Sequence, residues 1–556
     1  MTFEIIETMR SEEPSPAATE FMVQTRDGVE LATDVYLPEG EGPFPAIIVR
    51  TPYDKSSRYT GLRFEAEYFN SRGYAFVAQD VRGKFRSKGA TVPYALDVAD
   101  SRDTLEWITQ QAWSDGTAGA VGASYYGFTC WAAVASGHPA LKAAVPQVTG
   151  IDMGARHVAS RWSLDNPANI SLQDLIQIWT NNDGYLIDID WGSADVLALL
   201  DQARQQLGTS VGVEALIEGT HHQGWNNPYG DRNPWHTTSV PILHWQNYYD
   251  PGLAPEGFRD WRHFRSLTGS RHLHYLRVGS ADHGGFKLED VDAGDAKNPY
   301  LDDDTLMDKI REECGEMADF FDEHVKGQIP STPRPRARWH LGHVGWQHSS
   351  EWPPPSSPST FHLVQDGSGP HQLAIGPDAE PSALSWTHDP LDPVPSSTDI
   401  ETFWYLLAGY PDERDLAERA DVLTFRTAPL EAPLDFAGQP ELNVRLEYAS
   451  TSTHVFAKLQ DVDPDGTTRP ISWGRAVLSE PYGTDVRLLL DDNAYRLQAG
   501  HCLQLQIATS DFPYFLVHPG TEDSPWSARI KVAVEQKLLL GGEHPATLTL
   551  PVITVD

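Results

Sequence analysis

The chain has 556 residues, 40% hydrophobic and 22% charged, with 17 Trp and 20 Tyr. That is globular chemistry with enough apolar material for roughly two to four domains. A formal net charge of −36 makes a surface that repels nucleic acid and anionic membranes, so neither is expected as a partner.

Taken in chain order, the N-terminal stretch is acidic and lacks a basic n-region and an apolar h-region, so it does not read as a signal peptide. No apolar run reaches the length of a membrane span. A cytoplasmic location is the default expectation. Residues 20–37 read as two strands around a turn at Asp27-Gly28. Ala46 to Val49, Tyr74 to Ala78 and Ala118 to Val121 are short continuous apolar runs, the signature of buried parallel strands. A helical pattern over 97–111 lies between the last two. Strands alternating with helices predict a doubly wound parallel sheet. The alternation breaks between about 148 and 238, where candidate helices at 171–180, 194–206 and 210–218 suggest a helical cap. It resumes with strand-like runs at Pro241 to Trp245 and Leu273 to Val278, then a helix at about 302–325. The acidic triplet Asp302-Asp303-Asp304 reads as a solvated helix start rather than a metal site. The three cysteines, Cys130, Cys314 and Cys502, are odd in number and widely spaced, which suggests neither a disulfide framework nor a zinc site. A Pro/Ser-rich stretch from Trp352 to Thr360 marks a boundary. Beyond it, short alternating strands such as 442–446 and 503–507 predict an all-β sandwich or jelly roll. The expected division is 1–147 and 239–352 for an α/β-hydrolase domain, 148–238 for the cap, and 353–556 for a jelly roll.

Chemistry concentrates at Gly122-Ala123-Ser124-Tyr125-Tyr126-Gly127. A nucleophile elbow, usually G-x-S-x-G, places a serine on a strained strand-to-helix turn so that its Oγ enters the cleft. Here the second glycine comes one residue late, yet an apolar strand precedes Ser124 and a helix-compatible run, Phe128 to Ser136, follows it. The rival reading is a serine at an ordinary helix cap. On the elbow reading, the helix N-terminus and the Tyr125 backbone N–H help hold an oxyanion.

With its surroundings, the segment resembles the cocaine esterase / X-Pro dipeptidyl peptidase (S15-like, CocE/NonD) family of α/β-hydrolase serine hydrolases. The residues that carry the resemblance are Thr25 to Val29, Arg50-Thr51-Pro52-Tyr53-Asp54-Lys55, Gln79 to Gly89, Asp103 to Ile108, Trp113 to Gly116, Gly122 to Gly127 and, near the C-terminus, Ala457 to Gly466. The resemblance implies that Asp250, closing Tyr248-Tyr249-Asp250, is the catalytic acid, that His283 is the catalytic base, and that the Tyr53 hydroxyl belongs to the oxyanion hole. The order Ser124, Asp250, His283 is independently that of an α/β-hydrolase, and both later residues follow strand-like runs. Asp282 is the rival acid, but it directly precedes His283, and adjacent side chains on a loop rarely pair as a triad needs. His244 reads as structural, and His221, His222 and His236 only as pocket-lining.

Trp162, Trp179 and Trp225, with Trp191, are candidates for a substrate pocket. The reaction read from these residues is cleavage of a small-molecule ester or amide through an acyl-enzyme, with no metal and no cofactor. Acylase or acyltransferase activity is the runner-up, and a non-catalytic binding protein is the alternative of another class. Pro251-Gly252 follow Asp250, where the family's α-amino acid ester hydrolases carry acidic residues. The family's X-Pro peptidases are generally longer, with an extra N-terminal domain. Some members form dimers or higher assemblies, so a homo-oligomer is within what the resemblance implies.

Overall fold

The computed structural model describes residues 15–91, 94–152, 196–207, 227–250, 253–285, 303–367, 370–376, 380–396, 411–479, 484–512, 514–523, 525, 528–543 and 545–555. Ten strands form the first sheet: β1 Thr19–Gln24, β2 Glu30–Tyr36, β3 Phe44–Thr51, β4 Ala75–Asp80, β5 Ser114–Ala123, β6 Leu141–Gln147, β7 Ile242–Tyr249, β8 His274–Asp282, β9 Ala337–Leu341 and β10 Gly345–Ser349. Their spatial order is β1-β2-β4-β3-β5-β6-β7-β8-β9-β10. The central run from β4 through β3 and β5 to β9 is parallel, and antiparallel pairs close both edges.

The apolar runs become central strands because both their faces are covered. On β3, Ala46 and Ile48 join one core while Ile47 and Val49 join the other. The first core takes Leu105 and Ile108 of α2 (Asp97–Thr109) and Phe128, Trp131 and Val134 of α3 (Ser124–Ser136). The second takes Leu62 and Phe69 of α1 (Leu62–Ser71). Opposite them in the same core are Ile310, Met317, Phe320 and Phe321 of the long helix Asp303–His324. Side chains alternating across a strand into two apolar layers are what a doubly wound sheet requires.

Of the helices expected between 148 and 238, α4 (Val196–Leu207) matches the one at 194–206. Those at 171–180 and 210–218 lie outside the described residues, as do His221 and His222. The described ends of this interval pack into the sheet domain: the Tyr229 hydroxyl donates to the Ile151 carbonyl at 2.8 Å, and both residues belong to the first core. The short α5 (Pro234–Thr237), α6 (Ala254–Ser266) and α7 (Asp303–His324) follow.

From Ser357 onward, the described chain is a separate thirteen-stranded β domain. Its strand Glu441–Tyr448 alternates half-buried and buried residues along its whole length, as a sheet with one face on a core must. Aromatic residues join the two domains. Tyr248, Tyr249, Trp261, Trp339 and Trp352 pack with Trp473, Ala494 and Ile553 in one buried cluster. Trp352 fastens the junction, with its Nε1–H donating to Asp492 Oδ1 at 3.0 Å and its carbonyl accepting from Trp261 Nε1–H at 3.2 Å.

Candidate active site

Ser124 is the first residue of α3, directly after β5. It has φ +58, a left-handed conformation that costs a non-glycine residue of order 1–3 kcal/mol and persists only when its surroundings impose it. The neighbours do so by close approach. A Cβ at Gly122 would lie 2.3 Å from the Tyr126 carbonyl oxygen, and one at Gly127 would lie 2.8 Å from the Gln147 carbonyl oxygen. This explains the displaced second glycine. The tight contact with β6 falls at Gly127, whereas Tyr126 turns its ring to meet Tyr53 edge-on at 5.9 Å. The elbow is built, and the simple helix-cap reading of Ser124 does not account for its φ.

Asp250 and His283 follow the neighbouring strands β7 and β8, which pair in parallel with Tyr249 opposite Asp282. That register brings the two turns together. His283 Nδ1 lies 2.7 Å from Asp250 Oδ2, with the Asp side chain 2% exposed and the His side chain 10% exposed. An ionised carboxylate only accepts, so Nδ1–H is the donor. Asp250 is held from the other side as well. Its Oδ1 accepts the Leu253 N–H at 3.3 Å, and its carbonyl accepts the Ala254 N–H at 2.8 Å, at the start of α6. Asp282 serves differently: its carbonyl accepts from Asn247 Nδ2 at 2.9 Å, and the carboxylate bonded to His283 is that of Asp250.

Tyr53 lies on the turn after β3, and the charged members of its motif anchor that turn. Buried Arg50 donates to Gln79 Oε1 at 2.7 Å, to Ser101 Oγ at 3.0 Å and to Asp97 Oδ1 at 3.1 Å. Buried Lys55 donates to Asp34 at 2.8 Å and Glu20 at 2.9 Å. The Tyr53 ring is thereby presented to the cleft. The Tyr125 side chain points away from it. Its ring stacks on Tyr94 at 4.5 Å, and its hydroxyl accepts the Tyr94 N–H at 2.8 Å and donates to Asp97 Oδ2 at 3.2 Å. Its backbone N–H stands in the first turn of α3, where N–H groups have no intrahelical acceptor.

Ser124, Asp250, His283 and Tyr53 line one cleft at the carboxyl ends of the strands. Trp162, Trp179, Trp191 and Trp225 lie outside the described residues, as do Pro251 and Gly252. His236 is not among the residues lining the cleft. Several residues that do line it carried no local signal in the sequence. Tyr59, Glu65, Lys309, Glu313 and Asn247 come from four segments, and Tyr514 comes from the β domain. Lys309 and Glu313 pair along α7 at 2.6 Å. Their i,i+4 spacing was visible, but its place in the cleft was not. The Glu65 carboxyl on α1 makes no hydrogen bond among the described residues. Burial and the Glu313 carboxylate push it up to about 8, against the pull of Lys309.

The comparisons with known proteins agree with this architecture. The family profile of the X-Pro dipeptidyl-peptidase (S15 family) matches residues 27–285, and that of the X-Pro dipeptidyl-peptidase C-terminal non-catalytic domain matches 328–549. Cocaine esterase of Rhodococcus sp. (strain MB1 Bresler) is 29% identical over 595 aligned positions, spanning 96% of this chain and 98% of that protein. Among solved structures, an aminopeptidase from the marine sediment archaeon Thaumarchaeota archaeon has a TM-score of 0.80 at 22% identity. An α-amino acid ester hydrolase has a TM-score of 0.80 at 23% identity, and each alignment covers 98% of both chains. The sheet, the elbow and these likenesses define a serine hydrolase of the α/β-hydrolase class with a C-terminal β domain. Within that class, the chain belongs to the S15 family of X-Pro dipeptidyl-peptidases and their CocE/NonD relatives, the group that includes cocaine esterase.

Proposed function

We propose that the protein hydrolyses a carboxylic ester or amide of a small molecule in two steps, with Ser124 as nucleophile. The observation that carries this reading is the 2.7 Å contact between His283 Nδ1 and Asp250, in the cleft that also holds Ser124. With Nδ1 committed to the carboxylate, proton transfer falls to Nε2. His283 takes the Ser124 proton as Oγ attacks the carbonyl carbon and returns it to the leaving group, leaving an acyl-enzyme. Water then attacks by the same route and releases the acid. Asp250 fixes the tautomer and stabilises the imidazolium. The Tyr53 hydroxyl and the Tyr125 N–H are the oxyanion donors, each worth about 3–4 kcal/mol at the transition state.

The charge of the cleft bears on the substrate. Lys309 is already neutralised by Glu313, so Glu65 is the surplus acid of the wall. A substrate anion would meet two carboxyls for one ammonium. A substrate cation would find a partner in Glu65 and would release its proton on binding. The favoured substrate is therefore an ester or amide carrying a positively charged group. We read the β domain as a jelly roll, which its alternating strands support.

The test is hydrolysis of p-nitrophenyl esters of graded acyl length by wild type and Ser124→Ala. Activity that disappears in the variant is expected, whereas inertness of wild type toward both the esters and a fluorophosphonate would overturn the reading. A trimethylammonio-acyl ester should exceed its uncharged isostere in kcat/KM by roughly tenfold, the effect of one ion pair in a half-buried site. Glu65 gains its charge as pH rises through about 8, so that ratio should grow over the same range and collapse in Glu65→Gln.

A further inference from the structure

The wall behind Asp250 is made by the β domain. Tyr249 meets Trp473 edge-on at 6.2 Å. Trp473 and Arg475 are two residues apart on the strand Thr468–Leu478, so their side chains emerge from the same face. The Trp473 carbonyl accepts the Asp491 N–H at 2.7 Å, and Ser472 Oγ donates to the Asp491 carbonyl at 2.6 Å. Pinned by both backbone groups, Asp491 directs Oδ2 to Arg475 Nη1 at 2.9 Å, with the side chains 11% and 13% exposed. The Arg475 guanidinium lies over the Phe515 ring at 5.3 Å, and the adjacent Tyr514 lines the cleft.

Arg475 draws the Asp491 carboxyl down while Asp492 and Asp250 push it up, and Arg475 also feels Asp511, which Lys458 holds at 3.0 Å. Asp492 is occupied elsewhere, by Arg262 at 2.6 Å and Trp352 at 3.0 Å. What remains is the Arg475–Asp491 ion pair, whose carboxylate is repelled by that of Asp250 on the far side of the Tyr249–Trp473 contact. Burial pushes Asp491 up to about 6, against the pull of Arg475, so the ion pair keeps it charged at neutral pH.

We propose that the Arg475–Asp491 pair of the β domain is a positioning element for the reaction, presenting a field of near-zero net charge behind the Asp250–His283 pair. This rests on the assignment of that pair as catalytic. Remove the Asp491 charge, and the guanidinium behind Asp250 loses its hydrogen-bonded carboxylate. It stabilises the Asp250 carboxylate, and it disfavours protonation of His283. Remove both charges, and the field returns to near zero.

The experiment compares wild type, Asp491→Asn and the double variant Arg475→Met/Asp491→Asn. The acid limb of kcat/KM reports deprotonation of His283. It should move to lower pH by roughly 0.5–1 unit in Asp491→Asn, less than a charge in direct contact would give, and return to the wild-type position in the double variant. The His283 imidazole titration followed by NMR, assigned by its absence in His283→Gln, should move likewise, and this readout needs no turnover. Asn can still accept from Arg475 at 491; if it impairs folding, Asp491→Ser is the second neutral replacement. Coincident titrations in wild type and the neutral 491 variants, or a double variant displaced as far as the single one, would overturn the proposal. Failure of the catalytic assignment would appear separately, as activity retained in Asp250→Asn and His283→Gln.

Discussion

Strands β7 and β8 carry a histidine pairing at each end, and the two pairings share little else. At the carboxyl ends, His283 contacts Asp250 at 2.7 Å beside the cleft. At the amino ends, His244 Nε2 meets His274 Nδ1 at 2.9 Å. The latter two rings are sealed in aromatic packing: His274 stacks on Phe264 at 3.9 Å, and His244 lies 5.5 Å from Trp131. Burial pushes His244 down to about 3 and His274 lower still. A histidine with a carboxylate partner and access to the cleft can cycle a proton. One held between aromatic rings, without a carboxylate, stays neutral and is a packing element. In a parallel sheet, the turns that bring side chains into a cleft gather at the carboxyl ends.

The comparison can be broken or sharpened in four ways. The largest effect is expected at Ser124, the proposed nucleophile. Ser124→Ala should lose about 10⁴-fold or more in kcat with an unchanged thermal midpoint. Asp250→Asn should cost about 10³–10⁴-fold in kcat, by allowing the wrong imidazole tautomer while the geometry survives. A loss under tenfold would make the 2.7 Å contact structural. Tyr53→Phe keeps the ring against Tyr126 and removes one oxyanion donor, so kcat should fall about 10²–10³-fold with KM little changed.

The smallest effect tests the silent pair. His244→Phe should leave kcat at pH 8 within about twofold, because no proton moves there. Its signature is in stability. A histidine whose folded pKa is depressed binds fewer protons when folded, so its contribution is intact above about 6.5 and is lost as pH falls toward about 3. Between pH 7 and pH 5, that amounts to roughly 2 kcal/mol for one such site. Urea unfolding of His244→Phe should therefore lose less stability over that interval than wild type, even if the orphaned His274 lowers the value at pH 7. Equal losses in both proteins would show that the pair does not drive acid sensitivity.

What the sequence revealed was local in the chain. The apolar runs at 46–49 and 74–78 became central strands because a continuous apolar run can be satisfied only by cover on both faces. The elbow was legible for the same reason, directly after its strand, whereas Asp250 and His283 were named by the family resemblance and supported by the chain order of an α/β-hydrolase. The displaced glycine of the elbow looked like a defect in the motif. Only the close approach of Gly127 to the Gln147 carbonyl, at the end of β6, explains it. The charged wall was invisible because Glu65 and Glu313 are far apart in sequence and meet only once α1 and α7 cover the same face of the sheet. Tyr514 was further from view. It reaches the cleft from the β domain, and alternating strands in a sequence do not say which edge of a sheet will border a neighbouring domain.

The left-handed φ of Ser124 has a consequence for handling the protein. No isolated peptide of this sequence would hold that backbone; it exists because Gly122 and Gly127 are pressed against the Tyr126 and Gln147 carbonyls. On the proposed mechanism, the reactivity of this one hydroxyl is therefore a property of the assembled sheet. A reagent that acylates it counts native molecules and passes over every unfolded or half-folded one. On that reading, covalent labelling of Ser124 titrates the intact purified protein, reading the integrity of the architecture through a single oxygen atom.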